Sequence, residues 1–150
     1  MAVFRYRMQS ILNIKVKMET QAKQEFAVVK LALDAQEEKL VFLQDRKKKY
    51  ENEARGLLSG GLLLQDIIEN KSAILRMMDM IEEQMVQVRL AEHKLEQARQ
   101  RLQEVMQERK THEKLREKAF DEFLQEEKQR ESKEIDQLTS YTYGRKAGER

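Results

Sequence analysis

The sequence predicts an all-α fold: a long antiparallel two-helix coiled coil, an αα-hairpin closed by one turn. Three observations carry this reading. The 150 residues are 37% charged and 6% aromatic and contain no proline, cysteine or tryptophan, a composition that suits extended helices rather than a compact globule. Apolar residues recur in alternating steps of three and four, which decides for helix over disorder in so charged a chain. One internal glycine cluster interrupts that pattern.

The first helix is predicted over about 3–57. Its stripe runs through Phe26, Val29, Leu33, Gln36, Leu40, Leu43, Lys47, Tyr50, Ala54 and Leu57, with charged residues and glutamine between. Upstream, Phe4, Met8, Ile11, Lys15, Met18 and Ala22 continue it. The two successive steps of four at Met18–Ala22–Phe26 predict a stutter, a local unwinding that does not end the helix.

Between the helices, Gly56 to Leu64 carries no charge and holds three of the five glycines. Gly60-Gly61 is where both helices can end, so the turn is predicted at about 58–63. A short connection makes neighbouring helices antiparallel. Leu58, Leu62, Leu63 and Leu64 either close the end of this hairpin or offer an apolar contact.

The second helix is predicted over about 64–138. Its seam runs Ile67, Lys71, Ile74, Met78, Ile81, Met85 and Val88, then Leu95, Leu102, Val105, His112, Leu115, Ala119 and Phe123, with the register drifting near Ala91 and Val105. Ile135 and Leu138 carry helix close to Tyr141. Residues 1–141 are expected to form a single domain, and 142–150, with Gly144 and Gly148, a disordered tail. At about 1.5 Å per residue the first helix is roughly 80 Å long and the second longer, so the second overhangs.

Little here suggests catalysis. His93 and His112 lack metal-ligand spacing. The pairs Glu82-Glu83, Asp121-Glu122 and Glu126-Glu127 fall on solvated faces where nothing raises a pKa. No glycine-rich phosphate loop is present, and the absence of cysteine removes disulfides, thiolate metal sites and cysteine nucleophiles. No catalytic residue, cofactor or metal is expected. With 29 basic and 27 acidic residues the net charge is +2, unlike a dedicated nucleic-acid binder. The N-terminus lacks an apolar signal region and no run approaches a membrane span, so a soluble cytoplasmic protein is expected.

Two features suggest contact with other proteins. Arg46-Lys47-Lys48-Lys49 is the strongest charge run, but Asp45, Glu51 and Glu53 flank it and its residues span a full turn. Met78 and Met85 fall on the predicted seam, whereas Met77 and Met80 point elsewhere. Near Tyr50 on the facing helix they could form an adaptable binding patch.

Three stretches resemble the flagellar export FliJ family. They are Phe4-Arg5-Tyr6-Arg7-Met8-Gln9-Ser10-Ile11-Leu12, Gln107-Glu108-Arg109-Lys110-Thr111-His112-Glu113-Lys114-Leu115-Arg116-Glu117-Lys118, and Glu131-Ser132-Lys133-Glu134-Ile135-Asp136. His112 stands where the family usually has an apolar residue. The order, spacing and mid-chain break also agree. The resemblance implies a two-helix coiled coil similar to the central-stalk γ subunit of rotary ATPases. It implies a non-enzymatic component of the flagellar type III export apparatus that associates with the ATPase FliI and its regulator FliH, the export gate FlhA and export chaperones. It further implies a chain that is a monomer in isolation, peripherally placed at the inner face of the cell membrane at the flagellar base.

On that basis the ATPase ring is expected to meet Phe4, Arg5, Arg7, Arg109, Lys114, Arg116 and Lys118. The export gate is expected to meet Leu43, Tyr50, Met77 and Met80. Three alternatives remain: the stalk protein of a virulence type III secretion system, a parallel homodimeric scaffold, and a membrane-surface binder using the basic run.

Overall fold

The computed structural model describes residues 2–60 and 63–148. Two helices, α1 (Gln9–Ser59) and α2 (Leu64–Gly148), account for nearly all of them, and no strand occurs among the described residues. They pack against each other as an antiparallel helical hairpin. The contacts divide the chain into two compact units, one of Met1–Glu19 with Val105–Arg150 and one of Thr20–Glu104, where the sequence reading treats 1–141 as one domain. The physical reason is that each residue of a two-helix coiled coil touches only neighbours at its own level, as in other quasi-one-dimensional folds.

In the unit Thr20–Glu104, buried or half-buried α1 residues follow the predicted stripe from Ala22 to Leu57 at every step. Leu33, Val88 and Ala91 form its core, with Leu40 and Leu95 packed against them. Two amides cross between helices. Gln84 Nε2 donates to the Gln36 carbonyl at 2.9 Å and to Gln36 Oε1 at 2.8 Å, and Asn70 Nδ2 donates to the Tyr50 carbonyl at 3.0 Å. As α1 ascends from 36 to 50, its partners on α2 descend from 84 to 70, which fixes the antiparallel direction.

The seam of α2 is shifted from the expected one. Asn70, Met77 and Gln84 are half-buried there in place of Lys71, Met78 and Met85, and Met78 and Met85 are 48% and 41% exposed. Asn70 and Gln84 occupy the seam as amides that hydrogen-bond across the interface, and Met77 between them is as apolar as Met78, so apolar character alone does not fix the phase here. With that phase the seam runs 67, 70, 74, 77, 81, 84, 88, 91, 95, 98, 102 and 105 in unbroken heptads, and the drift expected at Ala91 and Val105 is absent.

In the unit containing the terminal segments, Leu12 and Glu19 are buried where Ile11 and Met18 were expected on the stripe. With Glu19 on the seam the steps 12, 15, 19, 22, 26 alternate three and four, so no stutter exists. Val105 is fully buried. Leu115, expected on the seam, is 46% exposed, one position off the row 105, 109, 112, 116, 119 and 123, in which Arg116 reaches across to Gln9.

Both helix limits at the termini differ from expectation. Residues 2–8 lie outside α1, whose start is marked by the Gln9 amide donating to the Tyr6 carbonyl at 3.2 Å and the Leu12 amide donating to the Met8 carbonyl at 3.1 Å. Continued helix would bring Arg5 and Met8, not Phe4, onto the seam. Leaving the helix lets the Phe4 ring reach α2. At the other end α2 continues through residues 142–148, correcting the expected disordered tail. Propagating an existing helix costs little, no proline stops it, and Arg145 and Lys146 complement the dipole in its last turn. The expected turn is only partly visible: α1 ends at Ser59, whose hydroxyl donates to the Gly56 carbonyl at 3.0 Å, and α2 starts at Leu64. Gly61 and Leu62 lie outside the described residues.

Candidate functional site

The residues expected to meet an ATPase ring all belong to the unit Met1–Glu19 with Val105–Arg150, in which the N-terminal segment packs on α2 at residues 116–123. Phe4 packs edge-on to Phe120 at 5.1 Å between ring centroids and tilted to Phe123 at 5.4 Å. The Arg116 guanidinium lies over the Phe4 ring at 5.6 Å and its Nε donates to Gln9 Oε1 at 3.0 Å. This clasp gives an aromatic contact, a cation–π contact and a hydrogen bond to one short segment. Arg5, Arg7, Lys114 and Lys118 remain exposed around it.

Arg109 is turned inward. Its Nε donates to Glu19, its Nη2 reaches the second Glu19 oxygen at 3.4 Å, and its Nη1 pairs with Glu113 at 2.8 Å. The Glu19 carboxylate, with Glu113 beside it, holds the guanidinium pKa above its already high ordinary value. Lys15 pairs with Glu108 at 2.8 Å nearby. Arg109 is thus only one-fifth exposed, and its main work is to neutralise a carboxylate buried on a helix–helix seam. Reading the stripe by apolarity missed Glu19. The signal was present in the unbroken heptad spacing, which demands position 19.

His112 is half-buried on the same seam, and its Nδ1 is buried with no hydrogen-bond partner among the described residues. His93 is exposed. No group of acidic, histidine or cysteine side chains able to hold a metal occurs among the described residues.

The residues expected to meet an export gate all lie in the unit Thr20–Glu104. Leu43, Tyr50 and Met77 are half-buried on the seam, and Met80 is 45% exposed. Interpolating between the Gln36–Gln84 and Tyr50–Asn70 pairs, Leu43 falls opposite Met77. Met77 therefore faces the partner helix rather than solvent, contrary to the sequence reading, while Met80, Met78 and Met85 present the accessible thioethers. Near the turn Ala54, Leu57, Leu58, Ile67, Asn70, Lys71 and Ile74 line an apolar cleft. Leu58, Leu63 and Leu64 are 76%, 72% and 72% exposed and do not close the hairpin end.

The basic run is divided by the helix. Lys47 turns to the seam and pairs with Glu51 at 3.6 Å, Arg46 lies over the Phe42 ring at 5.9 Å, and Lys48 and Lys49 are exposed. No described helix is long and apolar enough to cross a membrane.

Among solved structures, a YscO homologue from Chlamydia trachomatis is similar, with a TM-score of 0.74 and 22% identity, covering 94% of this chain and 96% of that one. At that identity the likeness establishes the shared fold. No curated protein matches the sequence. The family described as flagellar FliJ protein matches residues 4–148. With the match spanning both helices and all three stretches that carried the resemblance, the chain belongs to the flagellar FliJ family of non-enzymatic components related to type III export.

Proposed function

We propose that the chain serves as the central-stalk component of flagellar type III export. In this role it binds the ring of the ATPase FliI, with FliH as that enzyme's regulator, and promotes its assembly and activity. It links the ring to the export gate FlhA and to export chaperones, in the cytoplasm at the inner face of the cell membrane. The observation that carries this reading is the family match over residues 4–148.

The arrangement of side chains supports a division of labour between the two units. Around the Phe4 clasp, exposed Arg5, Arg7, Lys114 and Lys118 supply cations that steer docking more than they add affinity. Phe4, Arg109 and Arg116 hold that surface in shape. In the other unit, Met80 is the accessible member of the gate set, and Leu43, Tyr50 and Met77 shape the face beside it. The deciding experiment measures ATP hydrolysis and oligomer formation by the cognate FliI with and without this chain. Stimulation of both is expected, and unchanged rate and oligomer state would overturn the proposal. For the gate, the double variant Tyr50→Ala/Met77→Ala is expected to weaken binding to the cytosolic part of FlhA. Undiminished binding would remove that assignment while leaving the ATPase role standing.

The YscO homologue's fold favours one second reading, the equivalent component of a virulence secretion system. The neighbouring genes separate the two, since flagellar genes beside this one exclude it.

A further inference from the structure

Helix α1 carries a second heptad stripe, turned away from α2. Positions 28, 32, 35, 39, 42, 46 and 49 alternate steps of four and three, and every one is exposed. Two-sided apolar character in one helix normally means that both faces are covered. Here one half of the stripe is apolar, with Val28 65% exposed beside the small residues Ala32 and Ala35. The other half is basic and aromatic: Lys39, Phe42, Arg46 and Lys49. Phe42 is 59% exposed, and Arg46 is already placed over its ring. None of the three cations makes an ion pair among the described residues. No acidic residue lies on the stripe, whose next positions at either end are Glu25 and Glu53.

We propose that this stripe is the docking surface for an amphipathic α-helix of a partner protein, one with apolar residues along a heptad seam and acidic residues at the end that meets Lys39, Arg46 and Lys49. Ala32 and Ala35 let a second helix approach closely, and the heptad spacing accepts knobs from it. Phe42 provides the central apolar anchor, and the three cations fix the partner's direction and register by charge. A bilayer or a nucleic-acid backbone fits less well. Either would present continuous negative charge to Glu38, Asp45 and Glu53, which flank the cations, whereas a protein helix can place acids opposite lysine and arginine alone. The inference does not rest on the export reading.

The test uses the full chain and a synthetic helical peptide of about six turns, matched to the roughly 30 Å of the stripe. The peptide carries leucine and alanine on its seam and glutamate at one end; a counterpart carries lysine in place of glutamate. The glutamate peptide is expected to bind at least about tenfold tighter than the lysine peptide, and Phe42→Ala to weaken it by about tenfold or more. The triple variant Lys39→Glu/Arg46→Glu/Lys49→Glu, with its helical content verified by circular dichroism, is expected to invert the preference. Equal affinity for the two peptides, an unchanged preference in the triple variant, or stronger retention on phosphatidylglycerol vesicles or a single-stranded oligonucleotide than on the glutamate peptide would overturn the proposal.

Discussion

The two units solve the same packing problem with different chemistry. In Thr20–Glu104 the core cluster is leucine, valine and alanine, and amides elsewhere on a mainly apolar seam donate to carbonyl oxygens of the opposite helix. In the unit containing both terminal segments, the seam includes a buried carboxylate neutralised by Arg109, a Lys15–Glu108 pair, a histidine with an unpartnered nitrogen and an aromatic clasp. An apolar layer contributes stability through area removed from water but accepts a slipped register at small cost. A buried charge pair contributes less net stability, yet penalises every register that separates its members. The difference teaches to expect stability chiefly from the first unit, and alignment from the buried charge pair of the second together with the amides that cross in the first.

Four measurements break or sharpen that contrast. Leu33→Ala removes a core side chain of the apolar unit and should lower unfolding stability by about 2–4 kcal/mol, measured by urea denaturation. A smaller loss than that of any terminal-unit variant would reverse the assignment. Next, Glu19→Ala should lower the melting temperature, because the Arg109 charge is left on the seam without its main partner. The double variant Glu19→Leu/Arg109→Leu should recover most of the loss while relaxing register, visible as disulfide trapping between cysteines engineered at slipped positions. Recovery without slippage would show that the pair does not specify alignment.

Phe4→Ala dissolves the clasp. It should cost about 1–2 kcal/mol and speed amide hydrogen exchange around the start of α1, with residues 20–104 unaffected. Uniform acceleration along the chain would mean the units do not respond separately. The smallest effect concerns pH. The hydrogen bonds from Arg99 hold the exposed Glu96 carboxyl below its ordinary value of 4.5. A depressed carboxyl contributes stability that is present above the unfolded-state pKa and lost as pH falls through the folded one. Glu96→Gln should therefore leave stability nearly unchanged at neutral pH, with its slight deficit vanishing as the solution is acidified below pH 4.5. A deficit that persisted at low pH would mean the side chain acts through something other than its charge.

Much of this was legible in the sequence, and the misses are mostly errors of one position in the phase of the seam. From Ala22 to Leu57 the stripe of α1 was read residue for residue, because its apolar positions outnumber the polar ones. The reading slipped where the seam residue is polar and its neighbour apolar, Met18 for Glu19 and Met85 for Gln84, and the same one-position phase error put Lys71 and Met78 in place of Asn70 and Met77. A polar residue on a seam has no apolar signature of its own. It becomes acceptable only when a specific partner 48 or 90 residues away satisfies it, as Gln36 does for Gln84 and Arg109 for Glu19. The functional candidates follow the same rule. Arg5 and Lys118 are exposed, while Arg109 and Met77, also chosen as contact residues, face the partner helix.

What the sequence determined by itself is the fold class, since proline-free heptads and a lone internal glycine cluster leave an antiparallel helix pair as the economical arrangement. What only the tertiary structure decided is where the helices begin and end and which member of each adjacent pair faces inward. Phe4 lies outside the helix, where its ring reaches Phe120 and Phe123; a continued α1 would turn that ring away from the seam. The inward choice is likewise made between helices: hydrogen bonds and charge neutralisation across the seam outweigh the local preference of the more apolar neighbour for burial.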